Sequence, residues 1–207
     1  MTVGLRERKK QATRDALIEA ALELFSTQGF DTTSVDQIAD RVEVSARTFH
    51  RYFPAKEHVL FADTASRMEL VATQLAADDG TRPVLDVLRD TAMELASVLA
   101  VDPRRQALRF RIIEGNDRLR AHNLRASEEI ADLFAAHAAS RLGLDRNDRV
   151  PSLLGNWTYG VLRTAHRRWL ANPKLDMVEE VRAGFVILAT VDAATATASS
   201  ATKQRKR

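Results

Sequence analysis

Thr32-Thr33-Ser34-Val35-Asp36-Gln37-Ile38-Ala39-Asp40-Arg41-Val42-Glu43-Val44-Ser45-Ala46-Arg47-Thr48-Phe49-His50-Arg51-Tyr52-Phe53-Pro54-Ala55-Lys56-Glu57 reads as two short helices about a tight turn. Ser34 opens the first: its hydroxyl can accept from an early backbone N–H while Gln37 reaches back, which makes a capping box. Val35, Ile38, Ala39 and Val42 then fall on one face. After a turn at Glu43-Val44, Ser45 caps a second helix that buries Phe49 and Phe53 and leaves Arg47, His50 and Arg51 outward. Two capped helices, a tight turn and an exposed basic second helix make a helix-turn-helix, whose second helix enters a DNA major groove.

The neighbouring sequence extends this reading in both directions. Residues 1–10 lack apolar periodicity and are expected to form a flexible basic arm. From Gln11 to Gln28, Ala12, Leu17, Ala20, Ala21, Leu24 and Phe25 recur at helical spacing, and Gly29 supplies a stop. Residues 11–56 are therefore expected to be a three-helix helix-turn-helix domain. Lys56 is expected to open a longer helix to about Ala76, beginning a second helical domain at 57–198. Within it, Asp78-Asp79-Gly80, Asp102-Pro103, Gly115-Asn116-Asp117, Gly143 to Asp148 and Asn172-Pro173-Lys174 separate amphipathic segments, the last running from about Asp176 to Ala196. Residues 199–207 are polar, end in cations and are expected to be a disordered basic tail. No segment alternates with period two, so the fold class is all-α.

Composition narrows the function. In 207 residues there is no cysteine, which excludes disulfides and thiolate metal sites. The first residues have no apolar signal region, and no run approaches the ~18 apolar residues of a membrane span. A soluble cytoplasmic protein with no membrane partner is expected. The five histidines lack metal-ligand spacing, and there is no glycine-rich phosphate loop or nucleophile elbow. No enzyme activity, metal or cofactor is therefore expected. The net charge of +3 is small, but its distribution is uneven: Arg6, Arg8, Lys9, Lys10 and Arg14 crowd the leading segment, and Arg41, Arg47, Arg51 and Lys56 crowd the second half of the motif. Asp15, Glu19, Glu23, Asp31, Asp36 and Asp40 lie between, where they would repel phosphates from the wrong face.

Residues from about Gln11 to Leu60 resemble the DNA-binding region of TetR-family transcriptional regulators. The resemblance is carried by Ala20-Ala21-Leu22-Glu23-Leu24-Phe25, Gly29-Phe30, Thr33-Ser34-Val35, Val44-Ser45, Thr48-Phe49, Tyr52-Phe53 and Lys56-Glu57. Three positions depart from the family pattern: Glu43 replaces a usual Gly, His50 a usual Tyr, and Ala55 a usual polar cap. The resemblance implies that Ser45, Ala46, Arg47 and Thr48 open the recognition helix. Arg47 is the candidate for a bidentate contact to guanine, and Thr48 and Arg51 for bases or backbone. It implies phosphate contacts from Thr33, Ser34, His50, Tyr52 and Lys56.

The stretch from Phe110 to Leu170 is similar, more loosely, to regulators that sense acyl-thioester-like ligands, with Asp117 where a Pro is common. The cavity residues so implied are Met68, Leu88, Phe110, Ile113, Asn123, Asn156, Trp157, Tyr159, Gly160 and Arg163, with Asn156, Tyr159 and Arg163 sharing one helix face. One motif copy reads only a few base pairs, so a two-fold dimer on a palindromic operator is expected. Its interface is expected to hold Leu153, Leu154, Val161, Val181, Phe185, Leu188 and Ala189. The sequence thus describes a dimeric repressor released from double-stranded operator DNA by a small apolar or amphipathic effector. The alternatives are an architectural DNA-binding protein without a ligand, or an activator.

Overall fold

The computed structural model describes residues 4–187. In order come α1 (Leu5–Gln28), α2 (Val35–Arg41), α3 (Ala46–Tyr52), a 3-10 turn (Lys56–Val59), α4 (Thr64–Ala76), α5 (Val84–Leu99), α6 (Pro103–Glu114), α7 (Asp117–Leu142) and α8 (Arg149–Ala171). Residues 177–187 form a further helix, α9. There is no strand among the described residues; the fold is all-helical, with an N-terminal helix-turn-helix domain and a C-terminal helical domain. No helix among them is long and apolar enough to cross a membrane. The expected tail at 199–207, the end of the last helix, Leu188 and Ala189 lie outside the described residues.

The chain divides into two compact units. The first takes residues up to Ser66 together with Arg104–Ala126, and the second takes Arg67–Pro103 and the chain from Ser127 onward. The helix-turn-helix unit is thus larger than the expected 11–56. Its core joins Leu17, Ile18, Ala21, Leu22 and Phe25 of α1 with Ile38, Ala39 and Phe49, and also with Ile112, Ile113 and Leu119. Each of the Leu, Ile and Phe side chains among them contributes on the order of 1.5–3 kcal/mol when fully buried. Polar ties reinforce the addition: Arg109 Nε donates to the Leu60 carbonyl at 2.6 Å, and Arg118 pairs with Glu57 at 3.3 Å. Sequence periodicity shows that α6 has an apolar face but not which core receives it.

Two expected boundaries are corrected. The arm at 1–10 is helical from Leu5, although residues 4–12 are exposed. Apolar periodicity misses this part because these turns face no core. Leu, Arg, Glu, Lys and Gln nevertheless carry good helix propensity, and the Gln11 amide hydrogen-bonds Asp15 one turn on. The helix expected to start at Lys56 is instead a 3-10 turn, and α4 begins only at Thr64. Val59, Leu60 and Phe61 are consecutive and all buried, at 2%, 1% and 9% exposure.

The second unit packs Val71 and Leu75 of α4, Leu88, Ala92 and Leu95 of α5, Phe134 of α7, Leu162, Ala165 and Trp169 of α8, and Met177 and Val181 of α9. Helices α7 and α8 meet so closely at Gly155 that an added Cβ would lie 2.4 Å from the Ala131 carbonyl. Asp78, two residues beyond α4, has a side chain only 1% exposed. It accepts from Arg141, faces His137 Nε2 at 3.0 Å, and Arg141 also donates to the carbonyls of Gly80 and Arg82 at 3.0 and 2.7 Å.

Candidate nucleic-acid interface

The motif is built from its caps. Ser34 Oγ accepts from Gln37 N–H at 3.1 Å while Gln37 Oε1 accepts from Ser34 N–H at 2.8 Å, closing the capping box. At the far end of α2, Val44 N–H donates to Ala39 O and Glu43 N–H to Asp40 O, both at 3.0 Å. This is the Schellman arrangement, which puts its penultimate residue in the left-handed region. That residue is Glu43, with φ 55°, and no other non-glycine residue among those described has positive φ. Ser45 Oγ then accepts from Thr48 N–H at 3.1 Å to start α3. Phe49, 0% exposed, anchors α3 into the core beside Phe53, with ring centroids 5.6 Å apart.

Anchoring one face of α3 fixes what the other presents. Arg47, His50 and Arg51 are exposed, Ala46, Thr48 and Tyr52 are half-buried, and Arg51 lies over the Tyr52 ring at 5.2 Å. Arg47 has no hydrogen bond or ion pair among the described residues. Three other cations of the unit are engaged. Arg41 pairs with Glu23 at 2.7 Å, and Arg14 donates to Ala62 O at 2.6 Å. Most consequential is Lys56, whose ammonium donates to the carbonyls of Phe30, Asp31 and Thr33 at 2.6, 3.2 and 2.7 Å and sits 4.6 Å from the Phe30 ring centroid. An ammonium has three protons. All are directed at the α1–α2 loop, so the structure gives Lys56 the place of an internal tie rather than the expected phosphate contact.

Thr33 is likewise withdrawn. It is 1% exposed, donates to Gly29 O at 2.7 Å and accepts from Gln28 Nε2 at 3.1 Å. The same Gln28 amide reaches Gln37 Oε1 at 3.0 Å, linking the end of α1 to the cap of α2. Nothing in the sequence singled out Gln28, because its role depends on a loop geometry that its neighbours do not signal. Ser34 and Ser45 remain exposed at the two helix starts.

The expected effector and dimer residues are redistributed. Phe110, Ile113 and Asn123 belong to the first unit, where Ile113 is core. In the second unit Leu88 is core, Met68 packs against it, and Tyr159 donates to Ser127 Oγ at 2.6 Å. The inner face of α8 is the buried series Pro151, Gly155, Thr158, Val161, Leu162, Ala165 and Trp169. Asn156 and Arg163 are instead exposed, and an added Cβ at Gly160 would meet nothing within 4 Å. Asn156 donates to the Ser152 carbonyl of its own helix at 2.9 Å. Trp157 is half-buried with Phe185 at a ring-centroid distance of 4.7 Å.

Of the expected interface residues, Val161 and Val181 are core of the second unit, and Val161 would collide with a Cβ added at Gly184. Leu154 and Phe185 pack against the same core, whereas Leu153 is 61% exposed. A cleft of about 360 Å³ in this unit is lined by Gln74, Ala77, Asp78, Asp79, Arg82, Val87, Asp90, Thr91 and Glu94, none of which the sequence had suggested. No group of three or more metal-ligating side chains occurs among the described residues.

A capped helix-turn-helix with a cationic outer face, followed by a separate helical unit, defines a DNA-binding transcriptional regulator of the one-chain kind. Comparison with known proteins places it more narrowly. Residues 17–62 match the profile of bacterial regulatory proteins of the tetR family, and residues 82–193 match the MftR C-terminal domain. The chain belongs to the TetR family. It is 35% identical over 186 residues to the transcriptional regulator TcmR of Streptomyces glaucescens, covering 84% of this chain and 80% of that one. It is similar in structure to Thermus thermophilus FadR, a TetR-family transcriptional repressor solved in complex with lauroyl-CoA. The TM-score is 0.57 and the identity 29%, over 85% of this chain and 93% of that one. The fatty acid degradation regulator FadR of Bacillus halodurans shares the fold, with a TM-score of 0.63 at 19% identity over 84% and 96% of the two chains. These relatives are regulators of transcription, not enzymes.

Proposed function

We propose that the protein is a dimeric repressor that binds a palindromic operator and is released by an apolar or amphipathic effector of the acyl-thioester class. The observation that carries the DNA half of this reading is the contrast among cations. Lys56, Arg14 and Arg41 are engaged inside the unit, whereas Arg47 stands free on the outer face of a capped α3 beside His50 and Arg51. Arg47 is assigned to a guanine edge, Thr48 and Arg51 to bases or sugar-phosphate, and Ser34, Ser45, His50 and Tyr52 to phosphates. Support for a dimer comes from the outer face of α8. Leu153 is exposed and Gly160 meets open space, so a second copy of α8 can approach closely there. Support for the effector class comes from the FadR likeness and its lauroyl-CoA complex.

The test is calorimetry with lauroyl-CoA, with and without operator DNA. Linkage requires that a ligand which releases DNA be weakened by DNA to the same extent, and a useful switch needs roughly 1–3 kcal/mol of coupling. Equal affinity in the two titrations would reject release by this ligand. In parallel, Arg47→Ala is expected to lower operator affinity by about 1–3 kcal/mol and relax preference at one base pair per half-site. An equal loss on random DNA would assign Arg47 to phosphate instead.

A further inference from the structure

The interior of the second unit contains a hydroxyl with nothing to bond. Thr158 is 0% exposed, and its Oγ1 has no hydrogen-bond partner. It sits in the middle of the buried face of α8, one turn from Gly155, where α8 is pressed against the α7 backbone, and one turn from core residue Leu162. A helical threonine can return its hydroxyl to the carbonyl one turn back, as Thr13 does to Lys9 at 3.0 Å and Thr27 to Glu23 at 2.9 Å. Thr158 does not take that option. The adjacent Tyr159 hydroxyl is already committed to Ser127. An unpaired hydroxyl in apolar surroundings is unfavourable until a partner is supplied. A buried water there would itself need two to four polar partners, and the neighbouring residues of the buried α8 face, Gly155, Val161, Leu162 and Ala165, carry no polar side chain.

We propose that Thr158 is the polar anchor of the effector site, donating its hydroxyl hydrogen to the thioester carbonyl of an acyl ligand whose chain lies among the apolar residues of the second unit. This rests on the effector reading above and adds the group that recognises the thioester carbonyl at the head of the acyl chain. Helices α5 and α8 pack together in this unit, and core side chains must part to admit the chain. Binding is therefore coupled to a rearrangement of the unit, which is what a ligand-driven shift between two states requires.

The experiment uses the full-length protein, its Thr158→Val and Thr158→Ser variants, and two probes: lauroyl-CoA and the thioether S-dodecyl-CoA, which lacks the carbonyl. The wild type is expected to prefer lauroyl-CoA by about three- to tenfold, the worth of one neutral hydrogen bond. Thr158→Val should abolish that preference by weakening lauroyl-CoA alone, and Thr158→Ser should retain it. Without ligand, Thr158→Val should melt higher than the wild type, because it removes an unsatisfied group at nearly constant shape. Equal weakening of both probes by Thr158→Val, or no preference in the wild type, would overturn the anchor role and leave the effector reading standing. A lower melting temperature for unliganded Thr158→Val would show that the hydroxyl already has a partner and would overturn the inference on its own. Failure of the wild type to bind either probe would overturn the effector reading together with it.

Discussion

Replacing Lys56 by Met separates two roles that a basic residue at this place in the motif could have. Methionine keeps most of the stem and removes the ammonium. The structure then loses three charge-assisted bonds, those to Phe30 and Thr33 part-buried and the one to Asp31 exposed. The exposed carbonyl rehydrates at little cost. The other two, at about 1.5–2 kcal/mol each after allowing for partial solvation, give an expected loss of roughly 3–4 kcal/mol from the helix-turn-helix unit. Arginine should not rescue the loss. Its donors lie in one plane, whereas three carbonyls converging on one point suit a tetrahedral ammonium.

The assay is urea denaturation at fixed protein concentration, because a dimer's midpoint moves with concentration, combined with operator binding across a range of salt. If Lys56 is a tie, Lys56→Met unfolds at lower urea, and operator binding weakens with an unchanged salt slope. If Lys56 instead neutralises a phosphate, stability is unaffected and the slope of log K against log salt falls by about 1.8, about 0.9 for each of the two Lys56 side chains of the proposed dimer. Wild-type stability with a reduced slope would refute the reasoning.

Other consequences follow from single observations. Glu43→Gly should stabilise the first unit by about 0.5–1 kcal/mol, the relief of a left-handed residue less glycine's greater entropy loss, while Glu43→Ala, which keeps the Cβ, should not; thermal melts check both. Burial alone would raise the Asp78 carboxyl, but hydrogen bonds from Arg141 and the Gly80 N–H, with the charges of Arg141 and His137, outweigh it and hold the group below its ordinary range. A depressed carboxyl stabilises fully above its unfolded pKa and loses that contribution as pH falls through the folded one. Melting temperature should therefore drop below about pH 4, and Asp78→Asn should be less stable at neutral pH with a flatter acid limb. Leu153→Lys places a charge on a residue already 61% exposed in the protomer, so sedimentation should show monomers with unchanged helical content; a persisting dimer would move the interface elsewhere.

The parts of this structure that were legible in the sequence are those decided within one turn of helix. Ser34 with Gln37 and Ser45 with Thr48 make their bonds at separation three, Gly29 ends α1 with φ 96°, and the left-handed Glu43 follows from the length of the turn. Pro103 begins α6, as its fixed φ and missing N–H favour. The roles that escaped are decided by residues far apart in the chain. Lys56 bonds carbonyls 23 to 26 positions earlier, and Arg109 reaches a carbonyl 49 positions away. A cation bonded to backbone carbonyls has no partner residue type that a sequence could advertise, so it reads as free until the fold is seen.

Helix α8 shows a second limit of the same kind. Spacing alone puts Asn156, Tyr159 and Arg163 within about 60° of one another around a helix of 3.6 residues per turn, which correctly predicts a shared side. It does not say whether that side turns inward. The buried series centres instead on Gly155, Thr158 and Leu162, and Tyr159 lies at its edge, where its hydroxyl reaches Ser127. The conspicuous polar residues of α8 therefore mark the outer face. Thr158 is the inconspicuous one, because a threonine's methyl lets it pass for a core residue while its hydroxyl keeps a polar requirement. Apolar periodicity would be equally satisfied by Val at that position. Only the fold shows that the hydroxyl is sealed from water and from its own helix's carbonyls, which gives the Thr158→Val comparison its discriminating power.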